Sequence, residues 1–260
     1  METNNKTIYV FQSKIGDGYL GWEHGDKFSE GNAGIINNCM QSVRDWAAFH
    51  NFTHELNTSD LGWDFRFNSK NDVQLNRLLQ NWEHIPKAGY DFIIYLDNDV
   101  FVNDPASVPP LVDFGMAPRY GDQVLFAKHY FGEDSLWFNS GVVIMSRERC
   151  NHLSQWILSR IKSLNWGGLF EDLPREESFI AEYCSAIKPT ALDFCWNTMP
   201  PQTPTPLYGN VKLLHLLGTD KSRILDMCSP ELQFNVRNYA SLGQGNINLG
   251  CGQTATAEYA

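Results

Sequence analysis

The stretch YDFIIYLDNDVFVND, Tyr90 to Asp104, constrains the fold more than any other part of the chain. From Phe92 to Leu96 it is apolar, with only Tyr95 interrupting, and it then presents Asp97-Asn98-Asp99. It is the most strand-like segment of the sequence. An unpaired carboxylate beside apolar surroundings is costly, so a pair of them at a strand end requires a cation, a hydrogen-bonding turn or solvent.

The segments before it set the context. TIYVFQSKIGD reads as a first strand running into a Gly-rich loop, and NNCMQSVRDWAAFHN carries Val43, Trp46 and Ala47 at helical spacing. THELNTSD reads as a second strand. NDVQLNRLLQNWEHI aligns Val73, Leu75, Leu78, Leu79 and Trp82 on one helical stripe. Strand, helix, strand, helix, strand is the grammar of a parallel sheet with crossover helices, and such sheets bind ligands at the carboxyl ends of their strands, where Asp97 and Asp99 fall. Further on, QVLFAKHYF, WFNSGVVIMSRE and NVKLLHLLG read as strands, and RCNHLSQWILSRIKSL and REESFIAEYCSAI as helices.

Composition narrows the function. With 260 residues, 43% of them apolar and 19% charged, the chain suits one α/β domain. The net charge of -10 argues against a nucleic-acid backbone or an anionic membrane as the main partner. METNNKTIYVFQ has neither the basic nor the apolar region of a signal peptide, and no run approaches the ~20 apolar residues of a membrane span. The expectation is a cytoplasmic protein without a transmembrane segment. Six scattered cysteines with no C-x-x-C make zinc or redox chemistry a poor reading.

Asp97-x-Asp99 admits a plain turn or a site for a hard cation. Phosphatases of the haloacid dehalogenase type also follow a strand with Asp-x-Asp, but they carry Thr or Val where Phe101 stands and use their first strand. Val100 and Val102 deny an EF-hand. A second motif, LLHLLGTDKS, offers His215, Gly218 for a tight turn, and Lys221 as a flexible cation near the strand end. A lone His in an apolar strand is often a core residue. Joined to two carboxylates, it makes a ligand set that suits Mn²⁺ better than Mg²⁺. In WFNSGVVIMSRE, Asn139, Ser140 and Gly141 could form a turn or bond sugar hydroxyls, with Trp137 as a flat apolar surface. In LPREESFI, Glu176 and Glu177 begin a helix, which dipole electrostatics alone favour.

With these elements in this order, the chain resembles the GT-A glycosyltransferases, above all the retaining family of glycogenin and the bacterial lipopolysaccharide galactosyltransferases. RLLQNWEHI, YLDNDVFVND, FNSGVVIM, LPREESFI and HLLGTDK match that family's successive motifs, from about Ile8 to Lys221. SVRDWAAFHNFTHEL and EESFI also look like the α-galactosyl and mannan-type transferases. The resemblance implies a mostly parallel α/β sheet flanked by helices, in a transferase domain over 1–225, with 226–260 as a C-terminal extension or tail.

It further implies that Asp97, Asp99 and His215 bind Mn²⁺ or Mg²⁺, with Asp97 also near the ribose. Lys221 would contact the donor diphosphate, beside Gly218, and Arg77 would reach the donor sugar or phosphate. Tyr19 would stack on the base, with Gln12 and Ser13 beside it, and Asn139 and Gly141 would line the sugar pocket. Glu176 and Glu177 would face the reacting carbon. The family has Gln where this chain has Glu177, and a carboxylate there could act as a nucleophile or as an inverting base; Asp172 is a further candidate base. The implied activity is transfer of a sugar from a nucleoside diphosphate sugar, a UDP-sugar first, to a hydroxyl of a glycan or glycoconjugate, with retention ahead of inversion. A sugar nucleotidyltransferase is one alternative, although SKIGDGYLG is a weak phosphate loop. A non-catalytic nucleotide-sugar-binding protein is the other. Trp22 and Trp196 are candidates for an acceptor site.

Overall fold

A computed structural model describes residues 6–13, 30–57, 85, 89–119, 138–163, 175–200, 210–217 and 220–242. Strand β1 (Ile8–Ser13) is followed by helix α1 (Glu30–Phe49) and strand β2 (Thr53–Asn57). Next come β3 (Phe92–Asp97), β4 (Val100–Val102), β5 (Phe114–Pro118) and β6 (Phe138–Ser146). Helices α2 (Arg147–Ser163) and α3 (Arg175–Ala186) precede the short β7 (Thr190–Ala191). The described chain closes with β8 (Leu213–His215), α4 (Lys221–Leu225) and α5 (Pro230–Leu242).

The main sheet has the order β2-β1-β3-β6-β5-β7. Strands β1, β2 and β3 pair in parallel, as do β5 and β7, while β6 lies antiparallel between β3 and β5. Five of its six strands therefore run one way. Side chains that alternate along each strand divide the core into two layers. Ile8, Val10, Ile94, Leu96, Val142 and Ile144 pack against Val43, Trp46 and Ala47 of α1. Tyr9, Phe11, Ile93, Tyr95, Val143 and Met145 pack against Leu153 and Ile157 of α2 and Ile180 and Tyr183 of α3. Strand β3 is buried on both faces, which explains its nearly unbroken apolar run.

Strand β5 is Phe-Gly-Met-Ala-Pro, a composition that propensity does not announce as a strand. Its Gly115 is required by close packing, since a Cβ there would lie 2.7 Å from Val112 Cγ2 and 3.0 Å from Leu192 Cδ2. QVLFAKHYF and most of NDVQLNRLLQNWEHI lie outside the described residues.

Between Asp97 and Val100 the chain leaves the main sheet. Strand β4 pairs antiparallel with β8, placing Val100 opposite His215, Phe101 opposite Leu214 and Val102 opposite Leu213. Phe101, Leu214 and Leu216 then share a third apolar cluster with Ile35 and Cys39 of α1, Leu225 of α4, and Leu232, Val236 and Tyr239 of α5. Helix α1 is thus clamped between the main sheet and this small sheet. Among the described residues no helix is long and apolar enough to cross a membrane. Cys39, Cys150, Cys184, Cys195 and Cys228 are free thiols.

Candidate metal and donor site

The exit from β3 brings the two aspartates of the turn to the start of the small sheet, and the β4–β8 register delivers His215 beside them. His215 Nε2 lies 3.3 Å from Asp99 Oδ1 and 3.7 Å from Asp97 Oδ2. One ligand atom from each of the three side chains falls within 4.8 Å of the other two. Backbone bonds fix this arrangement: Leu216 N–H donates to the Asp99 carbonyl at 3.1 Å, and His215 N–H donates to the Thr198 carbonyl at 2.8 Å.

The outward atoms of the same side chains are held. Tyr95 O–H donates to Asp97 Oδ1 at 2.8 Å. Tyr95 and Asp97 share one face of β3 because they are two residues apart, so the tyrosine that breaks the apolar run is placed to orient the first carboxylate. Lys221 Nζ bonds Asp99 Oδ2 and donates to the Leu216 carbonyl at 2.8 Å. Burial pushes the Asp99 carboxyl up, but the Lys221 ammonium beside it outweighs that and holds the group well below the usual carboxylate range. His215 Nδ1 is 3.1 Å from Asn197 Oδ1. The inward atoms Asp99 Oδ1 and His215 Nε2 are buried without a hydrogen-bond partner. An orphaned buried polar atom costs about 1–3 kcal/mol, and two facing one another call for a positive species between them. Two carboxylate oxygens and an imidazole nitrogen fit a divalent ion such as Mn²⁺.

Gln12 is fully buried at the end of β1 and donates through Nε2 to the Asp97 carbonyl at 3.3 Å, while its Oε1 lies 3.2 Å from His54 Nε2. Ser13 is in register with Asp97. Asn139 Oδ1 accepts from Gly141 N–H and from Asn197 Nδ2, each at 2.9 Å. Gly141 faces the imidazole so closely that a Cβ would fall 2.2 Å from His215 Cε1. Only glycine leaves room for the ring.

Glu176 and Glu177 lie in the first turn of α3, with their side chains outside the described residues. Tyr19, Trp22, Arg77, Trp137, Asp172 and Gly218 also lie outside them. Trp196 is partly buried and packs against the α1 side of the core. Sequence reasoning passed over Tyr95 and Asn197. The first was signalled by its two-residue offset from Asp97; the second, within CWNTMP, carried no signal.

No protein-family model and no curated protein matches this sequence. Solved structures do match. A glycosyltransferase involved in the glycosylation of the major capsid of PBCV-1 aligns over 84% of this chain and 96% of its own, with a TM-score of 0.55 and 14% identity. The apo-form glycosyltransferase GlyE of Streptococcus pneumoniae TIGR4 aligns over 91% of this chain and 64% of its own, with a TM-score of 0.46 and 12% identity. The galactosyltransferase LgtC, solved with donor and acceptor sugar analogs, aligns over 91% of this chain and 96% of its own, with a TM-score of 0.46 and 16% identity. At these identities the likeness is one of fold. The chain has the GT-A glycosyltransferase fold expected from its motifs, a mixed sheet of mostly parallel strands flanked by helices.

Proposed function

We propose that this protein is a glycosyltransferase that moves a sugar from a nucleoside diphosphate sugar, a UDP-sugar first, to a hydroxyl of a glycan or glycoconjugate. The observation that carries this reading is the convergence of Asp97, Asp99 and His215 at the carboxyl end of β3, with two of their inward atoms buried and unpartnered. Asp97, Asp99 and His215 would hold a divalent metal, Mn²⁺ by the chemistry of the set, which would supply Lewis-acid charge to a departing diphosphate.

The residues around it divide the remaining work. Lys221 adds a fixed positive charge beside Asp99, where diphosphate charge develops. By the family resemblance, Arg77 would reach the donor sugar or phosphate, and Gly218 would serve donor binding beside Lys221. Gln12, Ser13 and Tyr19 take the base, and Asn139 and Gly141 shape the sugar end. In transfer, the bond from the anomeric carbon to the diphosphate oxygen breaks and a bond to the acceptor oxygen forms. For a retaining enzyme both events occur on one face, and the acceptor proton passes to the leaving diphosphate. For an inverting one, Glu177, Glu176 or Asp172 takes that proton from the opposite face. The transfer proceeds with retention ahead of inversion. The protein would act in the cytoplasm.

A panel of UDP-, GDP- and dTDP-sugars with Mn²⁺, followed by thermal shift and slow donor hydrolysis, tests this reading. A UDP-sugar is expected to stabilise the protein only with the metal present. Asp99→Ala is expected to lose transfer by at least a hundredfold while the circular dichroism spectrum keeps its native shape. Turnover that survives either that change or excess chelator refutes the assignment. Transfer of a nucleotidyl group rather than a sugar would favour the nucleotidyltransferase alternative.

A further inference from the structure

The imidazole of His215 can serve a cation only if Nε2 carries a lone pair, and the hydrogen-bond network behind the ring decides whether it does. The peptide N–H of Gly141 can only donate, so the Asn139 atom it meets at 2.9 Å is an oxygen. That same oxygen lies 2.9 Å from one terminal atom of Asn197, which must therefore be the amide nitrogen. The other terminal atom of Asn197 is then its carbonyl oxygen, and it faces His215 Nδ1 at 3.1 Å. A carbonyl oxygen can only accept, so Nδ1 carries the proton. In a neutral ring that leaves Nε2 bare, directed at Asp99 and Asp97.

We propose that Asn197 is a positioning residue for the metal site: its amide oxygen holds His215 in the Nδ1–H tautomer and so makes Nε2 a ligand. The proposal rests on the metal-dependent reading above and deepens it. One backbone N–H, in a strand that Gly141 keeps thin enough for the ring to approach, orients two amides and one imidazole in sequence. Asn139, Asn197 and His215 are 2%, 0% and 1% exposed, which leaves the chain of donors and acceptors closed on itself. Asn197 is held for this task by its surroundings. Its own N–H donates to the Phe194 carbonyl at 3.1 Å, and the next residue, Thr198, bridges to Leu214 of β8, so Asn197 and His215 ride on paired segments. Metal-binding histidines elsewhere show the same logic, in which a hydrogen bond to the far nitrogen fixes ring and tautomer, and its loss costs 10–100-fold in affinity.

The test uses the intact chain labelled with ¹⁵N-histidine, with the His215 signals assigned by their loss in His215→Gln. In wild type the nitrogen shifts are expected to report a proton on Nδ1. Asn197→Ala is expected to release the ring to the Nε2–H form and to weaken Mn²⁺ binding, measured by titration calorimetry, by roughly 10–100-fold. Asn197→Asp keeps an acceptor against Nδ1 but sets its second carboxylate oxygen against Asn139 Oδ1, so it is expected to retain the Nδ1 proton at some cost in stability. Three results overturn the proposal: an unprotonated Nδ1 in the wild type, an unchanged tautomer and affinity in Asn197→Ala, or loss of the Nδ1 proton in Asn197→Asp. Should Asn197→Ala fail to fold, the wild-type shifts and the Asp variant still decide. A wild type that shows Nδ1–H but binds no Mn²⁺ sinks the metal reading and leaves the tautomer assignment standing.

Discussion

Each of the three convergent side chains has one end tied and one end turned inward. Tyr95 holds Asp97, Lys221 holds Asp99 and Asn197 holds His215. Preorganisation of this kind would spare the site from ordering its ligands on binding a metal ion. The tightest constraint is Gly141. Adding a methyl group there requires the imidazole, a rigid ring in a buried network, to move away from a Cβ at 2.2 Å. Gly141→Ala is therefore expected to lower Mn²⁺ affinity at least tenfold, while thermal stability drops by the ~1–3 kcal/mol typical of overpacking. Calorimetric titration beside a melting curve checks both; unchanged affinity would mean that the ring does not serve the ion.

At the scale of elements, what could be read in the sequence was limited by what each signal encodes. The run from Phe92 to Leu96 announced β3, and the helical stripes announced α1, α2 and α3, because burial leaves a periodicity that any neighbour produces. Direction leaves none. Val142 to Met145 are equally apolar in a parallel or an antiparallel strand, so the reversal of β6 could not be seen. Strand β5 was hidden by Gly115 and Pro118, whose presence follows from crowding by Leu192 and from a shift of register at the strand end. Helix α5 did leave a signal that went unread: Ser229 caps its start, Pro230 follows at the first turn, and Leu232, Val236 and Tyr239 recur at helical spacing. In the site, Asp97, Asp99, His215 and Lys221 were legible because their chemistry is conspicuous among apolar residues. Asn197 was not, since an amide in a loop has many ordinary roles.

The small sheet makes its own prediction about pH. Lys212 forms an ion pair with Asp104, and Ser107 Oγ donates to the same carboxylate at 2.6 Å, fastening the end of β4 to the chain entering β8. Burial raises the Asp104 carboxyl, but these partners outweigh it and the net shift is downward. A carboxylate depressed in the folded state contributes stability that is fully present above its unfolded value, near pH 4, and that drains away as the pH falls through the lower folded value. Asp104→Asn should accordingly destabilise the protein by about 1 kcal/mol at pH 7 and by less at pH 3. Urea unfolding at the two pH values measures this, and an equal loss at both would argue against the ion pair.

Over the whole molecule, the ligand side chains span two sheets that share no backbone ladder: Asp97 ends a strand of the large one, Asp99 lies in the turn between them, and His215 ends a strand of the small one. An ion seated among them would act as a rivet between two laminae otherwise joined by apolar packing, a short turn and the hydrogen bonds that run from Asn139 through Asn197 to His215. Its presence should then be felt beyond the site, as slower amide deuteration along residues 213–216 and 100–102, while strands β1 and β2 exchange at their former rate. Uniform slowing everywhere would instead mean only that the bound state is globally more stable. Losing such an ion would loosen the small sheet and, through Phe101 and Leu214, the seat of α5.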